Sequence, residues 1–263
     1  HLGRDIMQAI NRQASANPIN LVASAILTAD KQAMPEQQLV AQIQHHRQLI
    51  RDLRGDQHLT EPNAAPLQLI HCAEHLGWLI RETHPFGDVL SLQPVNAVML
   101  TWYRNNIVHL LALPSLIACL LVNRRRGIET ERLTASVDVV YPYIARELSG
   151  SLAADTSAAL TSMETLGLVR KEEDVILPAA QLSEQRLPLL LLSKLVNETL
   201  ERMYIVLSLA HHGRHTRESL CQRSQAAAQQ IGRLHGINAP EFFDQRLFDE
   251  FVDALLANQH LQT

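Results

Sequence analysis

The chain has 263 residues, of which 46% are hydrophobic, 19% are charged and 4% are aromatic, and its formal net charge is −4 at pH 7. This composition is typical of a globular protein and excludes a disordered or fibrous one. A net negative charge argues against a broad electrostatic contact with nucleic acid. The cysteines Cys72, Cys119 and Cys221 are far apart and lack metal-binding spacing, so we expect a reducing, cytosolic environment.

The first residues, His1, Leu2 and Gly3, do not form the basic and then apolar start of a signal peptide. They lead almost directly into a helical pattern, and no initiator methionine precedes them. We therefore expect the chain to be part of a longer protein. Removal of a start methionine by tagging or processing is the alternative.

Helical periodicity dominates the first part of the chain. The pair Asn17-Pro18 predicts the start of one helix, and Pro35 stands where the first turn of the next helix begins. A linker rich in proline, asparagine and threonine follows over residues 55–66. A further apolar stripe at helical spacing then ends at Gly77, a residue type that commonly terminates helices.

Two short strand patterns come next, over residues 78–80 and 89–92, on either side of a turn at residues 85–88. The same succession of helix, helix and hairpin returns further along the chain, with its hairpin over residues 168–170 and 175–177. The apolar residues of the repeated helix keep the offsets of positions 39, 43, 46 and 50, and they are Leu133, Val137, Val140 and Ile144.

A third round of the helical pattern begins at Thr216 and extends to the end of the chain. Two helices followed by a hairpin are the order of a winged-helix unit. We therefore predict a mainly α fold of tandem, winged-helix-like units with small β-hairpins, and an irregular α-helical bundle is the alternative. The predicted units are residues 1–94, residues 95–180, which an apolar helix over 95–122 leads, and residues 181–263.

The apolar segment over residues 97–122 differs from the rest of the chain. A membrane-spanning helix needs about 20 predominantly apolar residues, whereas polar side chains interrupt this run near its start and Pro114 interrupts the remainder. We expect a buried core helix. The alternative is a helix at a membrane surface or a subunit interface, with the arginines of residues 124–126 near phosphate head groups.

Two histidine clusters are candidate metal sites. His71, Glu74 and His75 fit the H-x-x-E-H pattern of one class of zinc peptidases, because histidines four residues apart share a helical face and a glutamate there can activate water. The other cluster is His211, His212 and His215. For both clusters we favour an ordinary structural role, so the prediction includes no metal and no other cofactor.

The predicted second helices of the first two units, near residues 67–76 and 156–166, carry almost no lysine or arginine. Winged-helix proteins that bind DNA use such a helix, and basic residues there would contact phosphates. We therefore expect no nucleic-acid partner. A tandem winged-helix interaction module without enzymatic activity remains the alternative function, and a zinc hydrolase is the third.

Two longer stretches carry a family resemblance. The first reads YRNNIVH over residues 103–109 and continues into LPSLIA over residues 113–118. The second reads LHGINAPEFFD over residues 234–244. Together with Asn17 and Asn20 near the start, they resemble the bacterial membrane-associated glycerol-3-phosphate acyltransferases, and the similarity extends over essentially the whole chain.

The resemblance implies that this chain follows a catalytic domain in a longer protein. That protein would transfer a fatty acyl group from acyl-CoA or acyl-carrier protein to glycerol 3-phosphate. The family uses a histidine separated by four residues from an aspartate as its catalytic motif. None of the 13 histidines here has an aspartate five positions downstream, and His84 and Asp88 come closest. We therefore assign no catalytic residue to this chain and expect it to be inactive alone.

The resemblance also implies the partners and the location. We expect the chain to pack on its own N-terminal catalytic domain, and an anionic membrane surface is a further candidate partner. The expected location is the cytoplasmic face of the bacterial inner membrane, as a peripheral protein. The block in the apolar segment supplies the candidate interface residues, which are Tyr103, Arg104, Asn105, Asn106 and His109.

Overall fold

The computed structural model describes residues 6, 9–11, 15–54, 60–149, 154–235 and 240–261. Helices dominate, and they are accompanied by two three-stranded antiparallel sheets. The predicted mainly α class is therefore confirmed. The chain divides into two compact units, His1–Leu195 and Val196–Thr263.

The first unit contains α-helices and strands in the following order: α1 (Pro18–Ile26), β1 (Ala33–Pro35), α2 (Glu36–Arg54), α3 (Pro66–His75), β2 (Leu79–Glu82), β3 (Val89–Leu92), α4 (Ala97–Leu121), β4 (Ile128–Glu129), α5 (Thr130–Glu147), α6 (Thr156–Thr165), β5 (Val169–Glu172), β6 (Val175–Pro178) and α7 (Arg186–Ser193). The second unit contains α8 (Asn197–His212), α9 (Arg217–His235) and α10 (Gln245–Ala257). Short 3₁₀ helices lie at Asp30–Gln32, Pro94–Asn96, Lys194–Val196 and Pro240–Phe243.

The order strand, helix, helix, hairpin occurs twice in the first unit. We call β1-α2-α3-β2-β3 the first repeat and β4-α5-α6-β5-β6 the second repeat. Their sheets have the corresponding strand orders β1-β3-β2 and β4-β6-β5. The amide of Glu36 donates to the Asp88 carbonyl over 2.9 Å, and that of Thr130 donates to the Asp174 carbonyl over 2.7 Å. The two repeats therefore close in the same way.

Both predicted hairpins are confirmed, but the strands β1 and β4 were not predicted. They have three and two residues, which is too short for an alternating apolar pattern to be recognised. The winged-helix assignment and the division at residues 94 and 180 stay predictions. After residue 195 the described residues contain helices and no strand.

A left-handed glycine links the second helix of each repeat to its hairpin. Gly77 has φ 75° and donates to the Glu74 carbonyl, while Trp78 donates to the Ala73 carbonyl, both over 2.9 Å. This pair of bonds is the Schellman arrangement, which satisfies carbonyls that a helix end leaves free. Gly167 has φ 70° and the second repeat forms the equivalent bonds there.

Helix α4 is the central helix of the first unit, where it packs against α1, α2, α5, α6 and α7. It is long and apolar enough to cross a membrane, but 67% of its most apolar stretch is buried in the structure. The predicted buried core helix is therefore confirmed. Pro114 lies inside it, and the neighbouring Ser115 hydroxyl donates to the Leu192 carbonyl of α7 over 2.7 Å.

Part of the second stretch with the family resemblance, residues 240–244, packs inside the second unit. Phe242 is fully buried, and the Phe243 ring lies so close to Gly232 of α9 that a Cβ there would be 2.4 Å from a ring carbon. Gln225 of α9 also donates to the Phe243 carbonyl over 3.0 Å. The phenylalanines of this block therefore hold Pro240–Phe243 against α9. Residues 236–239 of the block lie outside the described residues.

Candidate interface on helix α4

The predicted interface residues occupy different environments on α4. Arg104 is 8% exposed, and its guanidinium donates to the Asn105 side-chain oxygen over 3.1 and 3.2 Å. Tyr103 is half-buried, with its ring edge-on to Trp78 at 5.5 Å between centroids. Asn106 is exposed, whereas His109 is half-buried. Of these residues, Asn106 is therefore accessible to solvent, whereas Arg104 is largely buried.

His109 connects α4 to the N-terminal segment of the chain. Its Nε2 lies 3.3 Å from the Asn11 carbonyl oxygen, which also accepts from the Arg54 guanidinium over 3.0 Å. Burial lowers the pKa of His109 to about 4, and the nearby Arg54 charge acts in the same direction. The imidazole is therefore neutral at pH 7, with the proton on Nε2 where it can donate to Asn11.

The side chain of Asn11 makes a second set of bonds. Its amide nitrogen donates to the carbonyls of Leu148 and Ser149 over 3.1 and 3.0 Å, at the C-terminal end of α5. Asn11, Arg54 and His109 together with these two carbonyls form what we call the Asn11 junction. One residue of the N-terminal segment is thus held by α2, α4 and α5 at once.

The exposed part of α4 is mainly apolar. Met99, Trp102 and Asn106 follow each other at spacings of three and four residues, so they lie on one helical face. Val95, four residues before Met99 in the 3₁₀ helix Pro94–Asn96, is 79% exposed, while Trp102 is 61% exposed and Met99 is 44% exposed. We call Val95, Met99, Trp102 and Asn106 the α4 stripe. Its next position is His109 in the Asn11 junction.

The sequence prediction named Asn106 and His109 but missed the other residues of this surface. Val95, Met99 and Trp102 belong to an apolar run, and such a run predicts burial rather than exposure. A tryptophan two residues before an Arg-Asn-Asn sequence was the available signal, because tryptophan is enriched at protein interfaces. Asn11 and Arg54 could not be found from sequence, since only the tertiary fold brings them to α4.

The first candidate metal cluster is explained by an ion pair. Both carboxylate oxygens of Glu74 accept from the Arg81 guanidinium, over 2.8 and 3.0 Å. This bidentate pairing gives the carboxylate a partner that His71 and His75 do not provide. Within the described residues, no group of three histidine, cysteine or carboxylate side chains could hold a metal ion.

The second cluster lies at a helix end. The His212 Nδ1 is 2.7 Å from the Ser208 carbonyl, and the rings of His211 and His212 meet edge-on. Gly213 follows as the residue at which α8 ends, as predicted. These contacts are local to α8 and bring no carboxylate to the imidazoles.

A serine and a histidine also meet in the core, between α1 and α2. The Ser24 hydroxyl is 2.9 Å from His46 Nδ1, and the Gln42 amide nitrogen is 2.8 Å from His46 Nε2. Burial lowers the pKa of His46 to about 3, so the ring is neutral. Because all three residues are buried, no substrate can reach the serine and the cluster has a structural role.

The family match and the curated relatives of this chain agree with each other. Residues 1–263 match the family described as glycerol-3-phosphate acyltransferase C-terminal region. Among curated relatives, a glycerol-3-phosphate acyltransferase of Pseudomonas paraeruginosa (strain DSM 24068 / PA7) is 35% identical, with 97% of this chain and 31% of the relative aligned. Its counterpart in Pseudomonas fluorescens (strain SBW25) is 34% identical, with 99% and 32% aligned. The chain spans about a third of the length of these relatives.

Proposed function

Because the chain belongs to the glycerol-3-phosphate acyltransferase C-terminal region family, we propose that it is the helical, non-catalytic part of such an enzyme. The full protein would transfer a fatty acyl group from acyl-CoA or acyl-carrier protein to the 1-hydroxyl of glycerol 3-phosphate. The product is lysophosphatidate, and the reaction is the first step of phospholipid synthesis. The chain would support the catalytic domain and its association with the membrane.

The chemistry needs groups that we assign to the remainder of the protein. The substrate hydroxyl oxygen attacks the thioester carbonyl carbon while a histidine, oriented by an aspartate, accepts the hydroxyl proton. The carbon–sulfur bond then breaks and the thiolate leaves. In the described residues, His46 is bonded to Ser24 in the core and His109 to Asn11 in the junction. We therefore assign neither histidine to catalysis.

The Asn11 junction is the observation that best supports the proposed role. A segment that precedes the core is tied by hydrogen bonds to three helices, one of which carries the family block. Hydrogen bonds from a charged donor such as Arg54 are among the stronger ones in proteins. We propose that the junction fixes the direction from which the catalytic part joins this region.

We also propose a peripheral location at the cytoplasmic face of the bacterial inner membrane. The arginines of residues 124–126, just after α4, are exposed. Exposed cationic side chains are attracted to anionic lipid at about 1 kcal/mol each when they lie near the surface. This attraction supports membrane contact at the end of α4 that is remote from the α4 stripe.

The proposed function is tested with the full-length protein and the 263-residue chain. The full-length protein should transfer labelled acyl groups to glycerol 3-phosphate, and the 263-residue chain should show no turnover. Arg54→Met should lower the activity of the full-length protein several-fold, because it removes a donor of the Asn11 junction. Arg51→Met, on the same helix and bonded to Glu61, is the matched control and should retain activity.

Clear turnover by the 263-residue chain would contradict the assignment of catalysis to the remainder of the protein. Equal activities of the Arg51 and Arg54 variants would contradict the supporting role of the junction. A separate test concerns the predicted interface block. If Arg104→Ala leaves stability, membrane recovery and activity of the full-length protein unchanged, that block does not couple the two parts.

A further inference from the structure

The α4 stripe is an unusual surface on the main core helix of the first unit. Large apolar side chains on this helix are otherwise mostly buried, yet Met99 and Trp102 are substantially exposed on one face. Val95, in the 3₁₀ helix that leads into α4, is exposed as well. A contiguous exposed apolar patch commonly marks an interaction site. Tryptophan and methionine are also residue types that are enriched at protein interfaces.

The stripe is continuous with the Asn11 junction. His109 follows Asn106 by three residues on the same face, and the Asn11 carbonyl already covers His109. Trp102 lies about 10 Å from His109 along the helix axis. Ile10, next to Asn11 in sequence, is exposed as well. The N-terminal segment therefore meets α4 at the His109 end of the stripe, through Asn11, and the side chain of the neighbouring Ile10 is exposed.

The charges favour a protein partner over lipid. The stripe carries no charged residue, and the exposed arginines of residues 124–126 lie about 30 Å further along the helix axis. The helix cannot lie flat on a bilayer to engage both ends, because most of its length between them is buried by other helices. An apolar surface helix that binds lipid normally has cationic side chains beside it.

The length of the relatives indicates which polypeptide covers the α4 stripe. The relatives align to this chain over about a third of their length, and the matching family is described as a C-terminal region. About two thirds of such a relative therefore precede the aligned part. We propose that the preceding part of the same chain docks on the α4 stripe, with apolar side chains over Met99 and Trp102 and a hydrogen-bonding group facing Asn106.

This inference rests on the proposed function, because the docking part is the proposed catalytic part. It adds the surface through which that part is held. The docked segment enters at the Asn11 junction and extends along α4 toward Val95. Covering Trp102 would remove one of the largest exposed apolar side chains of the first unit from water, which favours docking.

Photo-crosslinking in the full-length protein tests the docking directly. A benzoyl-phenylalanine replaces Trp102 in one sample and Phe86 in the control sample. Phe86 is an aromatic residue that is 94% exposed on the β2–β3 turn. The Trp102 sample should give adducts with peptides from the preceding part of the same chain, at a yield several-fold above that of the Phe86 sample.

Each other result overturns the inference. Adducts with lipid would make the stripe a membrane-binding surface, and adducts between two copies would make it a self-association surface. A yield no higher than that of the Phe86 sample would show that nothing covers it. The outcome is independent of the enzyme assay, because an active protein with lipid adducts contradicts only the docking. A full-length protein without acyltransferase activity contradicts the proposed function, whatever the adducts are.

A pair of substitutions gives a second readout. Trp102→Glu should leave the thermal unfolding of the 263-residue chain unchanged, because the side chain is exposed there. In the full-length protein the same change should lower the unfolding temperature and increase cleavage by added protease between the two parts. Phe86→Glu should change neither. Equal behaviour of both variants in the full-length protein would contradict the docking.

Discussion

The first and second repeats share a backbone but differ in what closes their hairpins. In the first repeat the Arg81 guanidinium lies within 2.5 to 2.8 Å of carboxylate oxygens of Glu36, Glu74 and Asp88. The bond to Glu74 contributes most to raising the pKa of Arg81. Lys171 stands at the equivalent position of the second repeat, where the described residues provide it with no ion pair. The same strand and helix order therefore does not depend on the ion-pair cluster.

The second repeat has an open groove of mixed polar and apolar lining where the first repeat has its ion pairs. The groove has a volume of about 470 Å³ between α5, α6 and the sheet, and hydroxyl side chains of Thr134 and Thr161 line it together with Lys171. Thr156 also lines it and is 5% exposed, and its hydroxyl has no hydrogen-bond partner in the described residues. The comparison shows that the helix-end glycines and the backbone closure define the repeat, while side chains differ between copies.

The largest expected effect distinguishes the edges of the two sheets. Gly127 precedes β4 with φ 69°, and a Cβ there would lie 2.4 Å from the Ile176 carbonyl oxygen. The equivalent residue of the first repeat is Ala33, which has an extended backbone. Gly127→Ala should therefore lower the free energy of unfolding by about 3–4 kcal/mol, measured by urea titration.

Gly77→Ala is the matched control for this prediction. Gly77 has φ 75°, close to that of Gly127, but no atom lies within 4 Å of its Cβ position. Only the cost of a left-handed alanine remains, so a loss of about 1–2 kcal/mol is expected. Equal losses for the two variants would show that the close approach to Ile176 is not what requires glycine.

Acid should destabilise the first repeat through a group that the second repeat lacks. His46 is buried and its pKa is lowered to about 3, whereas Val140 occupies the equivalent position of α5. Below its unfolded pKa of about 6.5, His46 binds a proton in the unfolded state and not in the folded state. The contribution of His46 to the free energy of unfolding is fully present above about pH 6.5 and is lost as the pH falls toward about 3. At pH 4 the loss should be about 3 kcal/mol.

Urea titrations between pH 7 and pH 4 measure this dependence. His45 and His109 also have lowered pKa values from burial and contribute in the same direction. His46→Gln should reduce the slope because it removes one titrating group, and His71→Gln, exposed on α3, is the control that should retain it. A slope that His46→Gln leaves unchanged would contradict the role of His46.

The ion-pair cluster should have a smaller effect. Arg81→Met should lower the free energy of unfolding by about 1–2 kcal/mol, because it leaves Glu36, Glu74 and Asp88 close together without their cation. Lys171→Met should change it by less than about 0.5 kcal/mol. The difference should shrink in 1 M salt, which screens half-exposed charges. Equal effects of the two substitutions would show that the cluster adds no stability to the first repeat.

The sequence predicted the local features of both repeats better than their contacts. Gly77 located the end of α3, because glycine at a left-handed position is a local requirement. The apolar offsets shared by α2 and α5 located the buried faces. The ion-pair cluster of Arg81 and the Asn11 junction could not be predicted, since their members come from separate elements. The α4 stripe was missed because an apolar run gives no sign of which face is covered.

The smallest expected effect concerns the first turns of α3 and α6. The Asp155 carboxylate accepts from the Ala158 amide over 2.9 Å at the start of α6, so Asp155→Ala should cost about 1 kcal/mol. Ala65 occupies the corresponding position before α3 and has no side-chain acceptor. There the Gln68 side chain accepts from the Ala65 amide over 2.9 Å instead.

Ala65→Asp should therefore stabilise the first repeat by about 0.5–1 kcal/mol, because an aspartate supplies the missing acceptor and its charge is favourable at a helix N-terminus. The same urea titration measures both variants. The gain should persist in an Ala65→Asp, Gln68→Ala double variant if the cap acts through the α3 amides. A gain that disappears there would mean that the aspartate depends on the Gln68 bond, and that the two repeats begin their second helices by different mechanisms.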